Sequence, residues 1–208
     1  MSPNIYHISH IGNLASILRH GGILAYNELQ RNSLKYTDVA HDFIQDRRAS
    51  LTVPCAEGGT LHDYVPFYFA PRSPMLYTLH RGNVEGYSEG QTPILHFVVD
   101  VQKIVSREIS FTFTDGHAIV RYSCFYDKCE DLEAIDWDIM KARYWADTNE
   151  DGDRKRRRQA EFLIYKCCPW DFISSIGVIN KKVQKQVELI LQELPNPPQV
   201  RIQTSWYY

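Results

Sequence analysis

No stretch of this 208-residue chain is long and apolar enough to cross a bilayer as a helix. Its first ten residues, MSPNIYHISH, also lack the charged-then-apolar layout of a secretory signal. These two absences predict a cytoplasmic protein with no membrane association. Cysteine is sparse and unpaired in pattern: Cys55, Cys124, Cys129, Cys167 and Cys168 form an odd set without the Cys-x-x-Cys spacing of a zinc site. Reduced thiols and no metal are the expectation. Charge of one sign is missing too, because 23 Lys and Arg against 25 Asp and Glu leave a net −2. That excludes general adhesion to a polyanion but leaves room for a local basic patch. The Gly-x-x-x-x-Gly-Lys loop, the Gly-x-Gly-x-x-Gly turn and the Gly-x-Ser-x-Gly elbow are all absent. What is present, 44% hydrophobic and 12% aromatic residues, suits a globular protein of a length that fills one domain and crowds a second.

Periodicity predicts an α+β domain. NIYHISH reads as a strand, and IGNLASILRHGGIL as a helix with Ile11, Leu14, Ile17 and Leu18 on one face and Gly21-Gly22 as its stop, followed by a strand. From Asn27 to Thr60 the pattern weakens to one short helix around Val39, Phe43 and Arg47, a long irregular stretch of the kind that more often serves function. HDYVPFYF reads as an aromatic strand, SPMLYTLHRG as a helix opened by Ser73 and Pro74, and PILHFVVDV as a buried strand. Alternation in ISFTFT predicts a sheet with one wet face before the turn DGH, and CEDLEAIDWDIM an acidic helix. AEFLIYKCCPW, ISSIGVI and the closing VRIQTSWYY read as strands, with KVQKQVELILQEL a helix between the last two. Roughly seven or eight strands with flanking helices imply a split or mixed sheet.

Four features could carry chemistry. In YHISH, an odd separation on a strand sends His7 and His10 to opposite faces, so they do not share a metal, and either one ordinarily packs as a structural histidine. AHDFIQDRRAS carries Arg47 and Arg48 near its end, for which a solvated helix end is the plain reading. Glu161 heads an apolar strand straight after a polar loop; it is either a strand-end surface charge or a carboxylate able to stabilise developing positive charge. The run RKRRR, Arg154 to Arg158, either balances the acidic DTNEDGD before it or meets phosphates, with Tyr144 and Trp145 near enough in sequence to stack bases.

Taken in order, IYHISHIGNLASILRHGGILAYN, IQDRR, LHDYVPFYFAPRSPMLY, PILHFV, FTFTDGHA, QAEFLIYKCCPW and the final WYY resemble the DarT family of DNA ADP-ribosyltransferases, toxins of DarT–DarG toxin–antitoxin pairs, over almost the whole chain. The resemblance implies a single ADP-ribosyltransferase domain over 1–208 with a split mixed sheet and an NAD+ cleft. It implies transfer of ADP-ribose from NAD+ to N3 of thymidine in single-stranded DNA, dependent on sequence, and reversal by a macrodomain antitoxin of the DarG type. By position, His7 would hold the nicotinamide-side ribose, the backbone at Ile8 and Ser9 the nicotinamide amide, and Ser16 and Leu24 the rest of NAD+. About 32–53 would cover NAD+, with Arg48 touching it and acting in catalysis beside Glu161, while Arg47 is left as a surface charge. About 116–160 would hold the loop that reads the substrate strand; Met75, Arg154, Arg156, Arg157 and Arg158 would meet DNA. A monomer is expected. The alternatives are a transferase of the same fold acting on guanosine, RNA or protein, and a nucleic-acid-binding module without catalysis.

Overall fold

A computed structural model describes residues 2–37, 39 and 42–208. The strands are β1 (Asn4–His10), β2 (Gly22–Leu24), β3 (Tyr64–Tyr68), β4 (Ile94–Asp100), β5 (Phe111–Thr114), β6 (Phe125–Tyr126), β7 (Glu161–Tyr165), β8 (Cys167–Pro169), β9 (Ile173–Val178) and β10 (Gln199–Ile202). The helices are α1 (Leu14–Arg19), α2 (Tyr26–Arg31), α3 (Asp42–Ser50), α4 (Pro74–His80), α5 (Val101–Ser106), α6 (Trp137–Lys141), α7 (Arg154–Arg157) and α8 (Lys181–Leu191). Eight strands form one mixed sheet in the order β10-β9-β4-β1-β3-β7-β5-β6, while β2 and β8 pair in a small second sheet. Among the described residues only β10 and β9 run parallel.

Local chemistry explains most boundaries. Gly21, at φ +72°, ends α1, and Gly22 then lies so close to the Cys168 carbonyl that a Cβ would sit 2.3 Å from it, which brings β2 onto β8. Ser73 caps α4 by accepting from the Leu76 amide, with Pro74 in the first turn. Asn180 caps α8 in the same way through the Val183 amide. Phe67, Phe97, Phe113 and Phe162 fill the centre of the large sheet with Ile5, Leu95 and Val99. A second cluster, Leu76, Leu79, Ile94 and Tyr207, seats α4.

Several expectations need correction. ISFTFT has no wet face: Thr112 and Thr114 are fully buried and spend their hydroxyls on the carbonyls of Tyr126 (2.8 Å) and Gly116 (2.6 Å). AEFLIYKCCPW is two strands, because Lys166 at φ 59° turns the chain out of the large sheet and into the small one. CEDLEAIDWDIM is a 3-10 turn at Cys129–Ala134 followed by α6, broken where Ile135 is extended and Asp136 caps the Ile139 amide. VRIQTSWYY leaves the sheet after β10 in a turn, Thr204–Trp206. The strands of the described residues number ten because AEFLIYKCCPW divides into β7 and β8 and because β6, for which no strand was expected, pairs with β5.

Candidate active site

The cleft begins where the sheet splits. β1 keeps seven registered pairs with β4 but one, Tyr6 with Tyr68, with β3. Beyond that pair the backbone N–H and C=O of Ile8 face an opening instead of a ladder, whereas those of Ser9 point the other way, to Leu95 of β4, because successive strand residues alternate in direction. His7 bridges the gap by donating Nδ1–H to the Pro66 carbonyl (2.8 Å), and a carbonyl only accepts, so Nε2 is left as the acceptor. Burial lowers the His7 pKa to about 4 against the opposing Pro66 bond, so the ring is neutral. Pro66 suits this place: a residue's N–H and C=O leave a strand on the same side, so its missing donor faces the split and β3 still pairs with β7. The cavity is about 430 Å³. His7, Ile8, Ser9, Ser16, Leu24, Arg48, Met75 and Glu161 all line it. The Ser16 carbonyl accepts from His20 Nδ1–H (2.8 Å), which holds that wall.

At the far end of the cleft Arg48 Nη1 donates to Glu161 Oε2 at 2.7 Å. Glu161 is 3% exposed, heads β7, and takes a second bond at Oε1 from the Ala118 amide (3.1 Å); His117 Nε2 lies 4.0 Å from the same oxygen. Burial pushes a carboxyl pKa up, but here the Arg48 charge, His117, the Arg48 hydrogen bond and the Ala118 amide together outweigh it and hold Glu161 below its ordinary value. It is therefore ionised at neutral pH. His117 is driven down by burial against the pull of Glu161, with Arg48 and Arg47 adding to the depression. Tyr68, opposite Glu161 in register, is pushed above the usual phenol range by burial and by that carboxylate. Arg48 Nη2 is buried without a partner among the described residues. A guanidinium donor left open in a cleft wall fits a ligand that carries acceptors.

Of the segment 32–53, Leu34, Tyr36, Thr37, Val39, Ile44, Gln45 and Arg48 line this cavity. Asn13 donates to Ser9 Oγ (3.0 Å) and to the Thr37 carbonyl (3.0 Å) and accepts from the Thr37 amide (2.7 Å), so the end of β1 pins the loop ahead of α3. Residues 38, 40 and 41 of that segment lie outside the described residues. Gln45 of α3 bonds His62 at 3.1 Å, and His62 stacks on Tyr26 with 4.1 Å between centroids. Arg47 is not an idle surface charge, since its Nη2 donates to the Ile119 carbonyl (3.2 Å) in the loop after Ala118. A single bond from an exposed guanidinium to a neutral acceptor contributes about 0.5–1.5 kcal/mol. Arg47→Ala is therefore expected to weaken strand binding by up to about tenfold with kcat nearly unchanged, read from transfer kinetics at saturating NAD+. A collapse of kcat would show that Arg47 acts at the reacting atoms.

The basic run is the main correction, because Arg156, Arg157 and Arg158 are not open cations. Arg156 pairs with Asp153 (2.8 Å) and Asp115 (3.0 Å), and Arg157 with Asp136 and Asp151. Arg158 is 4% exposed and donates to the carbonyls of Ile139, Met140, Ala142 and Arg72. Burial lowers its pKa to about 10. Arg154 holds the carbonyls of Tyr144 and Ala146 at the surface. Lys155, the one lysine of the basic run, and Gln159, which the residue pattern did not single out, line the cavity with Glu161. Arg158→Met leaves buried carbonyls without a donor and is expected to cost about 3 kcal/mol, lowering Tm by roughly 6–12 °C. The salt dependence of DNA binding should not change; an unaltered Tm with weakened DNA binding would restore Arg158 to the DNA surface.

His117, Ala118, Tyr68 and Asn13 were also missed. His117 and Ala118 were visible only as part of a turn, and nothing in the residue pattern says which turn closes on which strand head.

A split mixed sheet whose cleft carries a buried, ionised glutamate at a strand head, with an arginine upon it, is the architecture of ADP-ribosyltransferases. The chain belongs to the DarT family, whose model, described as "ssDNA thymidine ADP-ribosyltransferase, DarT", matches residues 6–208. A DNA ADP-ribosyl transferase of Thermus aquaticus is 47% identical over 206 residues, which are 98% of this chain and 88% of the relative. Thermus sp. 2.9 DarT in complex with ADP-ribosylated ssDNA superposes with a TM-score of 0.93 at 43% identity, covering 100% of this chain and 97% of that one. The same protein in complex with NAD+ gives 0.87 at 41% identity, with 100% and 98% covered. A DNA ADP-ribosyl transferase–DNA ADP-ribosyl glycohydrolase fusion protein of Thermosipho africanus is 31% identical over 186 residues, which are 88% of this chain and 44% of the fusion.

Proposed function

We propose that this protein transfers ADP-ribose from NAD+ to N3 of thymidine in single-stranded DNA, with release of nicotinamide. The observation that carries the reading is the buried Arg48–Glu161 pair in the cleft wall, with one guanidinium nitrogen still open to a ligand. Family membership and the relatives' complexes with NAD+ and with ADP-ribosylated ssDNA supply the substrate pair.

Breaking the bond between ribose and nicotinamide leaves the electron pair on nicotinamide and positive charge on the sugar. An ionised, preorganised Glu161 favours that charge in the transition state over the ground state. The open backbone of Ile8 offers amide-type hydrogen bonding to nicotinamide with Ser9 beside it in the wall, His7 Nε2 accepts from a ribose hydroxyl, and Ser16 and Leu24 border the rest of the dinucleotide. Thymine N3 forms the new bond and gives up its proton. Arg48, ion-paired with Glu161, is better suited to stabilise the thymine anion and the NAD+ phosphates than to accept that proton. His117, kept neutral by burial and close to Glu161, is a nitrogen base within the same loop. Met75 borders the entry of the strand, and Lys155 and Arg154 take the phosphate contacts that the internally paired arginines cannot.

The fused glycohydrolase of the Thermosipho relative supports a macrodomain antitoxin of the DarG type as partner, and a DNA substrate supports a cytoplasmic site of action. One chain brings His7, Arg48 and Glu161 to a single cavity, which supports a monomer as the working unit; among the described residues no helix is long and apolar enough to cross a membrane. The test is incubation with NAD+ and matched oligonucleotides with and without thymidine, read by intact mass. One ADP-ribose gained only on thymidine-containing single strands is expected. NAD+ consumption with no DNA gaining mass would move the target to RNA or protein, and untouched NAD+ would leave a binding module.

A further inference from the structure

We propose that Tyr77, Tyr144 and Trp145, with Arg143, form a docking track outside the cleft for nucleotides that flank the target thymidine in the same strand; it rests on the reading of the substrate as single-stranded DNA. Two helices that border the cleft also hold this patch. Met75 and Thr78 of α4 and Lys155 of α7 line the cavity. From α4, Tyr77 packs edge-on to Trp145 (6.1 Å, 88°), and the Trp145 indole N–H donates to Tyr208 Oη at 3.2 Å. Tyr208 in turn bonds the carbonyls just ahead of α4, at Arg72 and Ser73. From α7, Arg154 donates to the Tyr144 carbonyl (2.9 Å) and the Ala146 carbonyl (3.1 Å). The segment carrying Tyr144 and Trp145 is thus clamped between the cleft's two rims.

On this rigid base the rings stay open to solvent. Tyr144 is 77% exposed and Tyr77 41%. The Arg143 guanidinium lies 5.7 Å over the Tyr144 ring, so cation and aromatic face stand together. Exposed rings interleaved with cations are how single strands are held without a groove, since every base has a face to stack and every nucleotide a phosphate to pair. A strand whose thymidine reaches Glu161 has to pass one rim of the cleft, and this rim is built to receive it.

The test compares a short oligonucleotide, too short to reach the track, with strands extended on the 5′ side or on the 3′ side of the same thymidine. Wild type should show a lower KM for DNA on extension in one direction. Tyr144→Ala should abolish that gain, raising KM for the extended strand roughly 5- to 150-fold while the short strand, kcat and NAD+ affinity stay unchanged. Tyr144→Phe should retain the gain, and Arg143→Gln should reduce the salt slope by about one. If wild type modifies no DNA of any length, the functional reading falls. If transfer proceeds but Tyr144→Ala affects short and extended strands alike, or neither, the track alone is overturned and the patch belongs to a protein partner.

Discussion

Glu161→Gln is expected to lower the rate of ADP-ribose transfer by roughly a hundred- to a thousandfold while NAD+ and DNA still bind. Glutamine keeps the shape, but its single oxygen can accept from Arg48 or from the Ala118 amide and not from both, so the change removes the charge and one of the two hydrogen bonds. What is lost is the carboxylate that the cleft holds ionised against its own burial. Because charge on the ribose develops only as the nicotinamide bond breaks, the loss falls on kcat and leaves KM for either substrate near its original value. Single-turnover transfer with saturating NAD+ and oligonucleotide, set beside equilibrium binding of each, checks this. Near-normal turnover would remove Glu161 from the reaction; weak NAD+ binding with intact kcat would make it a binding residue.

Arg48→Ala should be nearly as severe and should also move the pH dependence. With Arg48 gone, the largest effect opposing burial disappears, and the Glu161 pKa rises. The acid limb of the transfer profile therefore shifts to higher pH, and the little activity that remains grows as the pH is raised. Stability follows the same linkage. A carboxyl whose pKa is lower in the folded state than in the unfolded chain adds stability above the unfolded value, near 4.5, and that contribution is lost as the pH falls through the folded value. Wild type should lose it only on acidification below the ordinary carboxylate range. The variant, left with a buried carboxylate lacking its main partner, should already weaken nearer neutrality, and removing one member of a buried pair costs about 3–5 kcal/mol. Melting temperature against pH for both proteins, with Arg48→Lys as the variant that keeps charge but loses the planar fork, separates this from a purely catalytic effect. Parallel curves for wild type and Arg48→Ala would mean that Glu161 is held down by something other than Arg48.

The amino-acid sequence by itself determined the elements whose signal is local. Periodicity marked β1, α1, α4, β4 and α8 because burial of one face, a capping serine or asparagine and a stopping glycine all act within a few residues. The order of segments was enough for the family and its chemistry, and it singled out His7, Arg48 and Glu161, all three of which line one cavity. The tertiary structure alone decided matters that depend on what faces what. Thr112 and Thr114 alternate like solvent-facing residues yet are buried, because β6 and the loop at Gly116 supply acceptors from elsewhere in the chain. Five basic residues in a row read as one patch, but a short helix turns each in a different direction. Arg156 and Arg157 meet carboxylates, Arg158 is buried among carbonyls, Arg154 holds two carbonyls at the surface and Lys155 reaches the cleft, since successive side chains on a helix leave it about 100° apart. The placement of His117 and Ala118 against Glu161 joins segments more than forty residues apart, a pairing that no local periodicity encodes.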